Sequence, residues 1–293
     1  MQFFERYRNL FILHFTVLIW GFTGVLGDLI SVSALHLVWY RVIVAAITLF
    51  IFVSASKKSV VIPFKSMLKF IGVGILVGIH WVCFFHSIKI STVSVTLVTL
   101  SSLTLFTAIL EPLFTRTKIA IGDIIVGLII ILGIYLIFKF EFQYWQGIIF
   151  GLLAALFASI FSILNGKMVK NNSPTIITFY EMIGAFIGVS IIMLFTGQFN
   201  EGMLLSNADM FYIFLLGSVC TALAYVLGVA VMKELSAFTV ALTTNLEPVY
   251  GILLAMLIIG HKETMSTGFY AGAVIILGAV FLYPVIKSKF GKK

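Results

Sequence analysis

The chain has 293 residues, of which 61% are hydrophobic and only 10% are charged. Globular domains carry roughly 25% charged residues, so this composition excludes a soluble protein and predicts a polytopic membrane protein. The net charge of +8 does not indicate nucleic-acid binding, because the basic residues fall in short loops and at the ends of the chain.

Apolar runs along the chain predict ten membrane-spanning helices joined by short links, with no extramembrane domain. The expected spans are 9–29, 35–55, 67–88, 91–114, 119–138, 147–168, 175–196, 208–232, 235–259 and 266–286. The first run is interpreted as a retained helix because no clean cleavage site follows it. Cys83 and Cys220 lie inside apolar runs, which is typical of packing residues rather than of a disulfide or metal pair.

The distribution of basic residues predicts the orientation of the spans. If the N-terminus is inside, the inner side holds Arg6, Arg8, Lys57, Lys58, Lys65, Lys69, Arg116, Lys118, Lys167, Lys170, Lys233, Lys287, Lys289, Lys292 and Lys293. The outer side then holds only Lys89, Lys139 and Lys262, and Arg41 remains inside a helix. Because Lys and Arg collect on the cytoplasmic side, we expect both termini in the cytoplasm and the protein in the cell (inner) membrane.

The two halves of the chain resemble each other. A shift of 143 residues places residues 87–118 on residues 230–261 without a gap, and it pairs Thr96 with Thr239 and Leu103 with Leu246. Each half, 1–142 and 143–293, then contains five helices. Five is odd, so the second half enters the membrane from the opposite side. We therefore predict an all-α fold of ten transmembrane helices arranged as two inverted five-helix repeats.

Pairs of glycines four residues apart predict close contacts between helices. They are Gly74 and Gly78, Gly147 and Gly151, Gly184 and Gly188, and Gly268 and Gly272.

The ninth expected span carries a carboxylate at its middle. Glu247 lies near the midplane of the bilayer, two residues after Asn245 and directly before Pro248. A charge at this depth costs several kcal/mol, and proline also frees the carbonyl of Thr244. Such a helix needs either a polar cavity or a partner helix that satisfies it. We expect Glu247 and Asn245 to contact substrate; the alternative is that Glu247 pairs with a neighbouring helix.

Aromatic residues at mid-depth predict the wall of a substrate cavity. Trp20 lies near the middle of the first span, and His80, Trp81 and Phe84 occupy the third span at helical spacing. An aromatic wall with one polar group suits a small organic substrate. The alternatives are that Trp20 fills the core and that His80 is a satisfied core histidine.

Further candidates lie on the second, seventh, eighth and ninth spans. Tyr225 and Tyr250 each carry a phenol that needs a partner when buried, and both are candidate substrate contacts. Arg41 and its repeat partner Glu181 lie about two turns inside their spans. We interpret Arg41, Glu181 and Pro248 as structural or gating residues, because intramembrane charges need a partner or a route to the surface.

Several of these residues resemble one known family. Trp20-Gly21, Tyr40-Arg41, the run 233–238 and residues 246–249 are similar in order and spacing to the EamA-type branch of the drug/metabolite transporter superfamily. The resemblance implies ten helices with both termini inside and a central cavity lined by helices 1, 3, 4, 6, 8 and 9. It also implies carriage of small metabolites, often amino acids or related compounds, commonly outward.

The chain departs from the family pattern at two places. The family often has Gly-Glu after the fourth and ninth helices, where this chain has 116–118 and Gly260-His261, with Glu263 two residues later. Glu111-Pro112 has the same two residue types as Glu247-Pro248, but the two pairs do not align in the repeat, because the repeat partner of Glu247 is Thr104. We expect water or Arg116 to satisfy Glu111.

These observations favour a secondary transporter that works by alternating access. A lipid or lipid-precursor flippase of the same fold is the alternative. A membrane-embedded enzyme is disfavoured, because the five histidines are scattered and no metal or nucleophile motif occurs. We expect no cofactor and no metal. The expected partners are a small-molecule substrate, the lipid bilayer and protons, in a monomer or weak dimer.

Overall fold

The computed structural model of the protein describes residues 2–57, 59–116 and 121–290. Four residues that contribute to the predicted orientation lie outside the described residues: Lys58, Lys118, Lys292 and Lys293. The described part of the chain is helical and contains no strand.

Thirteen α-helices are observed in the described ranges. In chain order they are α1 (Gln2–Leu29), α2 (Ala34–Ala55), α3 (Phe64–Ile90), α4 (Val93–Leu100), α5 (Leu103–Thr115), α6 (Ile121–Phe140), α7 (Trp145–Met168), α8 (Pro174–Phe195), α9 (Asn207–Leu215), α10 (Ala224–Val231), α11 (Ala237–Thr244), α12 (Glu247–Ile258) and α13 (Thr267–Phe290). A π-helical segment, Leu216–Leu223, joins α9 to α10.

These helices form ten spans, because α4 with α5, α9 with α10, and α11 with α12 each make one crossing. Eight spans are long and apolar enough to cross a bilayer, and the fifth and tenth contain shorter apolar stretches, Ile125–Phe140 and Thr267–Tyr283. The predicted all-α polytopic fold is confirmed. Since the number of spans is even, both termini lie on one side of the membrane, here called the terminus side; the other is called the opposite side.

The ninth span is broken, although we expected one continuous helix over residues 235–259. The chain turns at Asn245 and Leu246, whose amides donate to the carbonyls three residues earlier, at 3.3 and 3.0 Å. Pro248 lacks the N–H that would continue the helix, which explains why the break lies here. The break makes Glu247 the first residue of α12.

The fourth span is broken at the matching depth, which the sequence also did not predict. The side chain of Ser102 donates to the Thr99 carbonyl at 2.7 Å and so competes with the helical pattern. The two breaks meet, because the Asn245 amide donates to Thr104 Oγ1 at 2.5 Å and to the Ala241 carbonyl at 2.8 Å. The fourth span also supports the backbone of the broken ninth span, because Thr104 Oγ1 donates to the Ala241 carbonyl at 3.3 Å.

Contacts between spans follow an inverted two-fold pattern. The third span (α3) packs on α8 and α7, which are the seventh and sixth spans. Its counterpart, the eighth span, packs in the same way on α2 and α1. The fifth and tenth spans, α6 and α13, pack on each other. This pairing is what two inverted five-helix halves produce; the exact division at residue 142 stays a prediction.

The glycine pairs lie where helices approach most closely. An ideal Cβ on Gly74 would lie 2.2 Å from the Glu181 carbonyl oxygen, and one on Gly184 would lie 2.1 Å from the Ile71 carbonyl oxygen. An ideal Cβ on Gly151 would lie 2.0 Å from the side chain of Thr99, and one on Gly272 would lie 2.7 Å from the side chain of Ile137. Real Cβ atoms do not fit at these distances, so glycine permits these contacts.

Two carboxylates bind the N-terminal ends of α4 and α11. On the opposite side, Glu263 is 0% exposed and accepts hydrogen bonds from the backbone of Val93 (3.0 Å) and Ser94 (2.9 Å), and from Ser94 Oγ (2.7 Å). On the terminus side, the half-buried Glu111 accepts a hydrogen bond from the Phe238 amide at 3.2 Å. The positive end of a helix attracts a carboxylate, which explains both contacts.

The contact between α3 and α8 can be tested with two glycines of the same helix. Gly74→Leu should lower the melting temperature and the folded yield, because overpacking costs about 1–3 kcal/mol and here meets backbone. Gly72→Leu is the control, because nothing lies within 4 Å of a Cβ at that position. Thermal unfolding and size-exclusion yield in detergent measure both effects. Equal behaviour of the two variants would contradict close packing at Gly74.

Candidate functional site

A cavity lies between the two halves, and its empty space, counted with the open solvent at its mouth, is about 800 Å³. Its wall comes from the first, second, third, fourth, sixth, eighth and ninth spans. The lining residues are Trp20, Thr23, Arg41, His80, Trp81, Phe84, Leu100, Leu103, Ala158, Phe161, Ser162, Asn165, Tyr225, Gly228, Val229, Met232, Val240, Ala241, Thr244 and Glu247. The family resemblance implied a wall of six helices, and the second span, which contributes Arg41, is an addition to them.

Six of the eight predicted substrate contacts lie on this wall. They are Trp20, His80, Trp81, Phe84, Tyr225 and Glu247. The structure does not bring Asn245 and Tyr250 to the cavity. Asn245 and Pro248 instead line a small second cavity at the crossing of the broken spans, and Tyr250 packs against Gly21, where an ideal Cβ would lie 2.9 Å from the Tyr250 Cβ.

The aromatic part of the wall is held in place by ring contacts. His80 stacks on Phe84 with ring centroids 6.2 Å apart and meets Phe161 edge-on at 5.3 Å. Its Nδ1 is 2.8 Å from the Ala154 carbonyl oxygen. His80 therefore has features of both alternatives. A backbone carbonyl satisfies its ring, as in a core histidine, and the ring also lines the cavity. Phe161 was not predicted, because one phenylalanine among 29 carries no distinguishing signal.

Arg41 supplies a positive charge to the cavity. The residue is 1% exposed, and its guanidinium lies 4.1 Å above the ring of Trp81 and 5.1 Å from that of Phe85. Nε and Nη2 donate to Thr221 Oγ1 at 3.0 and 2.7 Å, whereas Nη1 has no hydrogen-bond partner in the described part of the chain. Stacking and one hydroxyl hold the group in place, and one pair of donors remains available.

The π-helical segment explains how Thr221 reaches Arg41. Thr221 Oγ1 donates to the carbonyl of Leu216, five residues earlier, at 2.7 Å, and this leaves its lone pairs for the guanidinium. Gly217 lies in the same segment, and an ideal Cβ there would lie 2.9 Å from the Arg41 carbonyl oxygen. Such segments are frequent at functional sites. No sequence pattern predicted this one.

Glu247 supplies a carboxyl group to the same cavity. It is 6% exposed and lies in the first turn of α12, where the positive end of the helix favours a carboxylate. Among the described residues, no ion pair and no hydrogen bond involves its side chain. The alternative prediction, that Glu247 pairs with a neighbouring helix, is therefore not observed in the described part of the chain.

A buried polar cluster lies next to the cavity. The side-chain amide of Asn165 donates to the Tyr225 hydroxyl oxygen at 2.9 Å and approaches Glu181 Oε2 at 3.4 Å. Asn165 and Tyr225 line the cavity, and Glu181 lies behind them with 0% exposure. Sequence reasoning gave Asn165 no site role, because its position near the end of the sixth span suggested a cap.

The cavity extends toward the terminus side. Met232, at the terminus-side end of the eighth span, belongs to its wall, and so does Asn165 in the last turn of α7. No lining residue lies in the last turn of any span on the opposite side. Among the described residues, no three His, Cys, Asp or Glu side chains cluster as metal ligands would.

The sequence profile of the EamA-like transporter family matches this chain twice, over residues 9–139 and 145–283. The chain belongs to the EamA-like transporter family. The two matched segments correspond to the two sets of five spans, and the cavity lies between them. The resemblance inferred from the sequence is thereby confirmed, and so is the assignment of the protein to membrane transporters.

Individual relatives of this EamA-like protein are distant. An uncharacterized transporter of Clostridium kluyveri is 26% identical over 139 residues, which cover 47% of this chain and 43% of that protein. GDP-fucose transporter 1 of Dictyostelium discoideum is 24% identical over 274 residues, covering 85% of this chain and 71% of that protein. A solved crystal structure has the same fold, with a TM-score of 0.70, 14% identity, and coverage of 96% of this chain and 98% of that one.

The support of Arg41 by the π-helical segment can be tested by removing one hydroxyl. Thr221→Val keeps the shape of the side chain but leaves a buried guanidinium without its acceptor, which should cost about 1–3 kcal/mol. Thr221→Ser retains the oxygen and is the control. We expect a lower melting temperature for the valine variant only. The same melting temperature for both variants would show that the hydroxyl does not support Arg41.

Proposed function

We propose that this protein is a secondary transporter that exports a small zwitterionic metabolite of the amino-acid type by alternating access. The observation that carries this proposal is the presence of Arg41 and Glu247 on one cavity, with no ion pair between them in the described part of the chain. Opposite charges in a bilayer normally pair or face water. Here each is available to a substrate.

A bound amino acid would pair its two charged groups with Arg41 and Glu247. Its carboxylate suits the unpartnered Nη1 donors of Arg41, and its ammonium group suits the carboxylate of Glu247. The rings of Trp81, Phe84 and Phe161 supply the apolar wall for its side chain. The stacked, hydrogen-bonded position of Arg41 keeps these donors fixed before substrate arrives, which lowers the entropic cost of binding.

The named relative that transports GDP-fucose suggests a second kind of cargo. A nucleotide sugar is anionic and would use Arg41, but Glu247 on the same wall would repel it. The pair of opposite charges therefore favours a zwitterion over a nucleotide sugar. A flippase would require the cavity to admit a lipid, and the two buried charges oppose lipid tails there.

The contacts at the two faces support alternating access. On the opposite side, Glu263 is fully buried on the end of α4, and Asp209 accepts hydrogen bonds from the backbone and hydroxyl of Ser31, both at 2.7 Å. On the terminus side, Glu111 at the start of α11 is only half-buried, and the cavity reaches this side. This conformation is closed on the opposite side. If the two inverted halves exchanged conformations, the cavity would close on the terminus side and open on the opposite side.

The energy source is a gradient rather than ATP hydrolysis, since no phosphate-binding loop motif occurs in the sequence. Membership of a transporter family supports a protein that is not an enzyme. The excess of basic residues on the terminus side supports cytoplasmic termini in the cell membrane, and the family resemblance supports export.

Flux into and out of proteoliposomes tests the function. The panel contains amino acids, amines, nucleosides, GDP-fucose and a fluorescent phospholipid. We expect amino acids to move, and we expect Glu247→Gln to lower that flux at least about tenfold, because it removes a charge-assisted hydrogen bond. The melting temperature of the variant should not fall, since no described partner loses its counter-ion.

A carboxylate outside the cavity provides the control. Glu201→Gln, in an exposed link, should leave the flux unchanged. Flux of GDP-fucose or phospholipid without amino-acid flux would replace the proposed substrate class. Normal amino-acid flux through Glu247→Gln would remove Glu247 from the site.

Cysteine labelling tests the orientation. Lys233→Cys, exposed on the terminus side, should react only with reagents that reach the cytoplasm, and Glu201→Cys only with external ones. The native Cys83 and Cys220 are buried and provide a low background. Labelling of both positions from one side would contradict the ten-span fold, and reversed labelling would contradict cytoplasmic termini.

A further inference from the structure

Glu181 is a buried carboxylate that the proposed substrate site does not use. Its backbone is fixed at the closest crossing of α3 and α8, where Gly74 lies against its carbonyl. Its side chain is 0% exposed and points toward Asn165 and Tyr225, which separate it from the cavity. Unlike Glu247, it does not line the cavity.

The groups around Glu181 do not neutralise a negative charge. Asn165 approaches Oε2 at 3.4 Å and Tyr225 contacts the carboxylate, whereas Oε1 has no hydrogen-bond partner in the described part of the chain. An ionised carboxylate inside a bilayer with one tyrosine and one distant amide is strongly disfavoured. The environment therefore suits the neutral, proton-bearing form.

The cations of the neighbouring helices are bound elsewhere or are remote. On α2, Arg41 donates to Thr221; on α3, His80 bonds the Ala154 carbonyl, and Lys65 and Lys69 are exposed. On α7, Lys167 donates to the Phe114 carbonyl at 2.7 Å. On α10, Tyr225 is the titratable group that contacts Glu181. None of these cations forms an ion pair with Glu181 among the described residues.

Tyr225 connects Glu181 to the cavity. It lines the cavity, accepts a hydrogen bond from Asn165 at 2.9 Å, and contacts the carboxylate of Glu181. A hydronium ion in the cavity can therefore pass a proton to the phenol oxygen while the phenol proton passes to the Glu181 carboxylate. The hydronium ion becomes water, the phenol is restored, and Glu181 becomes neutral.

We propose that Glu181 is a proton-binding site that couples substrate transport to a proton gradient, with Tyr225 as the contact through which the proton passes to and from the cavity. This proposal rests on the proposed function. It assigns the two buried carboxylates different tasks: Glu247 meets the substrate, and Glu181 holds the proton. Each state of the transporter would then expose the proton route to the side to which the cavity opens.

Infrared difference spectroscopy of the purified protein in lipid tests the proton site without any substrate. A change of pH should produce the carbonyl band of a protonated carboxylic acid in the wild type and in Glu201→Gln, and Glu181→Gln should lack the part of the band that belongs to Glu181. Tyr225→Phe should retain that band but slow its response to a pH jump, whereas the lipid-facing Tyr135→Phe should respond as the wild type does. A spectrum unaltered by Glu181→Gln overturns the proposal.

Flux measurements test the coupling. With an imposed pH difference, the wild type should accumulate the amino acid that gives the largest flux by about tenfold per pH unit for one proton per cycle. Glu181→Gln should equilibrate it without accumulation, while Glu201→Gln accumulates it normally. A merely structural role for Glu181 would lower flux without changing this ratio, and that result would overturn coupling.

Absence of flux from the whole panel would contradict the proposed function, while the infrared result would still decide the proton site.

Discussion

The absence of water in the bilayer is the constraint on which this structure depends. Every backbone break and every charge inside the spans needs a partner from the protein itself or a place on the cavity. The breaks of the fourth and ninth spans satisfy this constraint together, since Asn245 bonds Thr104 across their crossing. The same break places Glu247 at a helix start, where the helix dipole favours a carboxylate.

The remaining intramembrane charges follow the same rule in different ways. Arg41 is held by Thr221 and by the ring of Trp81, and its free donors face the cavity. Glu181 has no described cation beside it and is compatible with burial when it carries a proton. In the function proposed above, a zwitterion would bind between Arg41 and Glu247, and a proton would bind at Glu181 behind the cavity wall.

Because the two halves are inverted, equivalent helices form the two faces of the protein. In this conformation, however, the two faces differ. Glu263 on α4 and Glu111 on α11 occupy related places, yet only Glu263 is fully buried. Helix packing is nearly fixed at the glycine contacts, such as Gly74 against α8. The proposed alternation between states would therefore move the carboxylate contacts of the faces rather than the glycine crossings.

The sequence by itself determined the ten spans, the inverted halves and six residues of the cavity wall, because apolar length, basic-residue position and mid-depth aromatic or charged residues are local signals. It did not determine the break at Ser101 and Ser102, the π-helical support of Arg41 by Thr221, or the cluster of Asn165 with Glu181 and Tyr225. It also predicted substrate contacts at Asn245 and Tyr250, which lie at helix crossings and do not line the cavity, so that their contact with substrate stays a prediction. These features depend on which side chains meet between distant spans, and only the tertiary packing decides that.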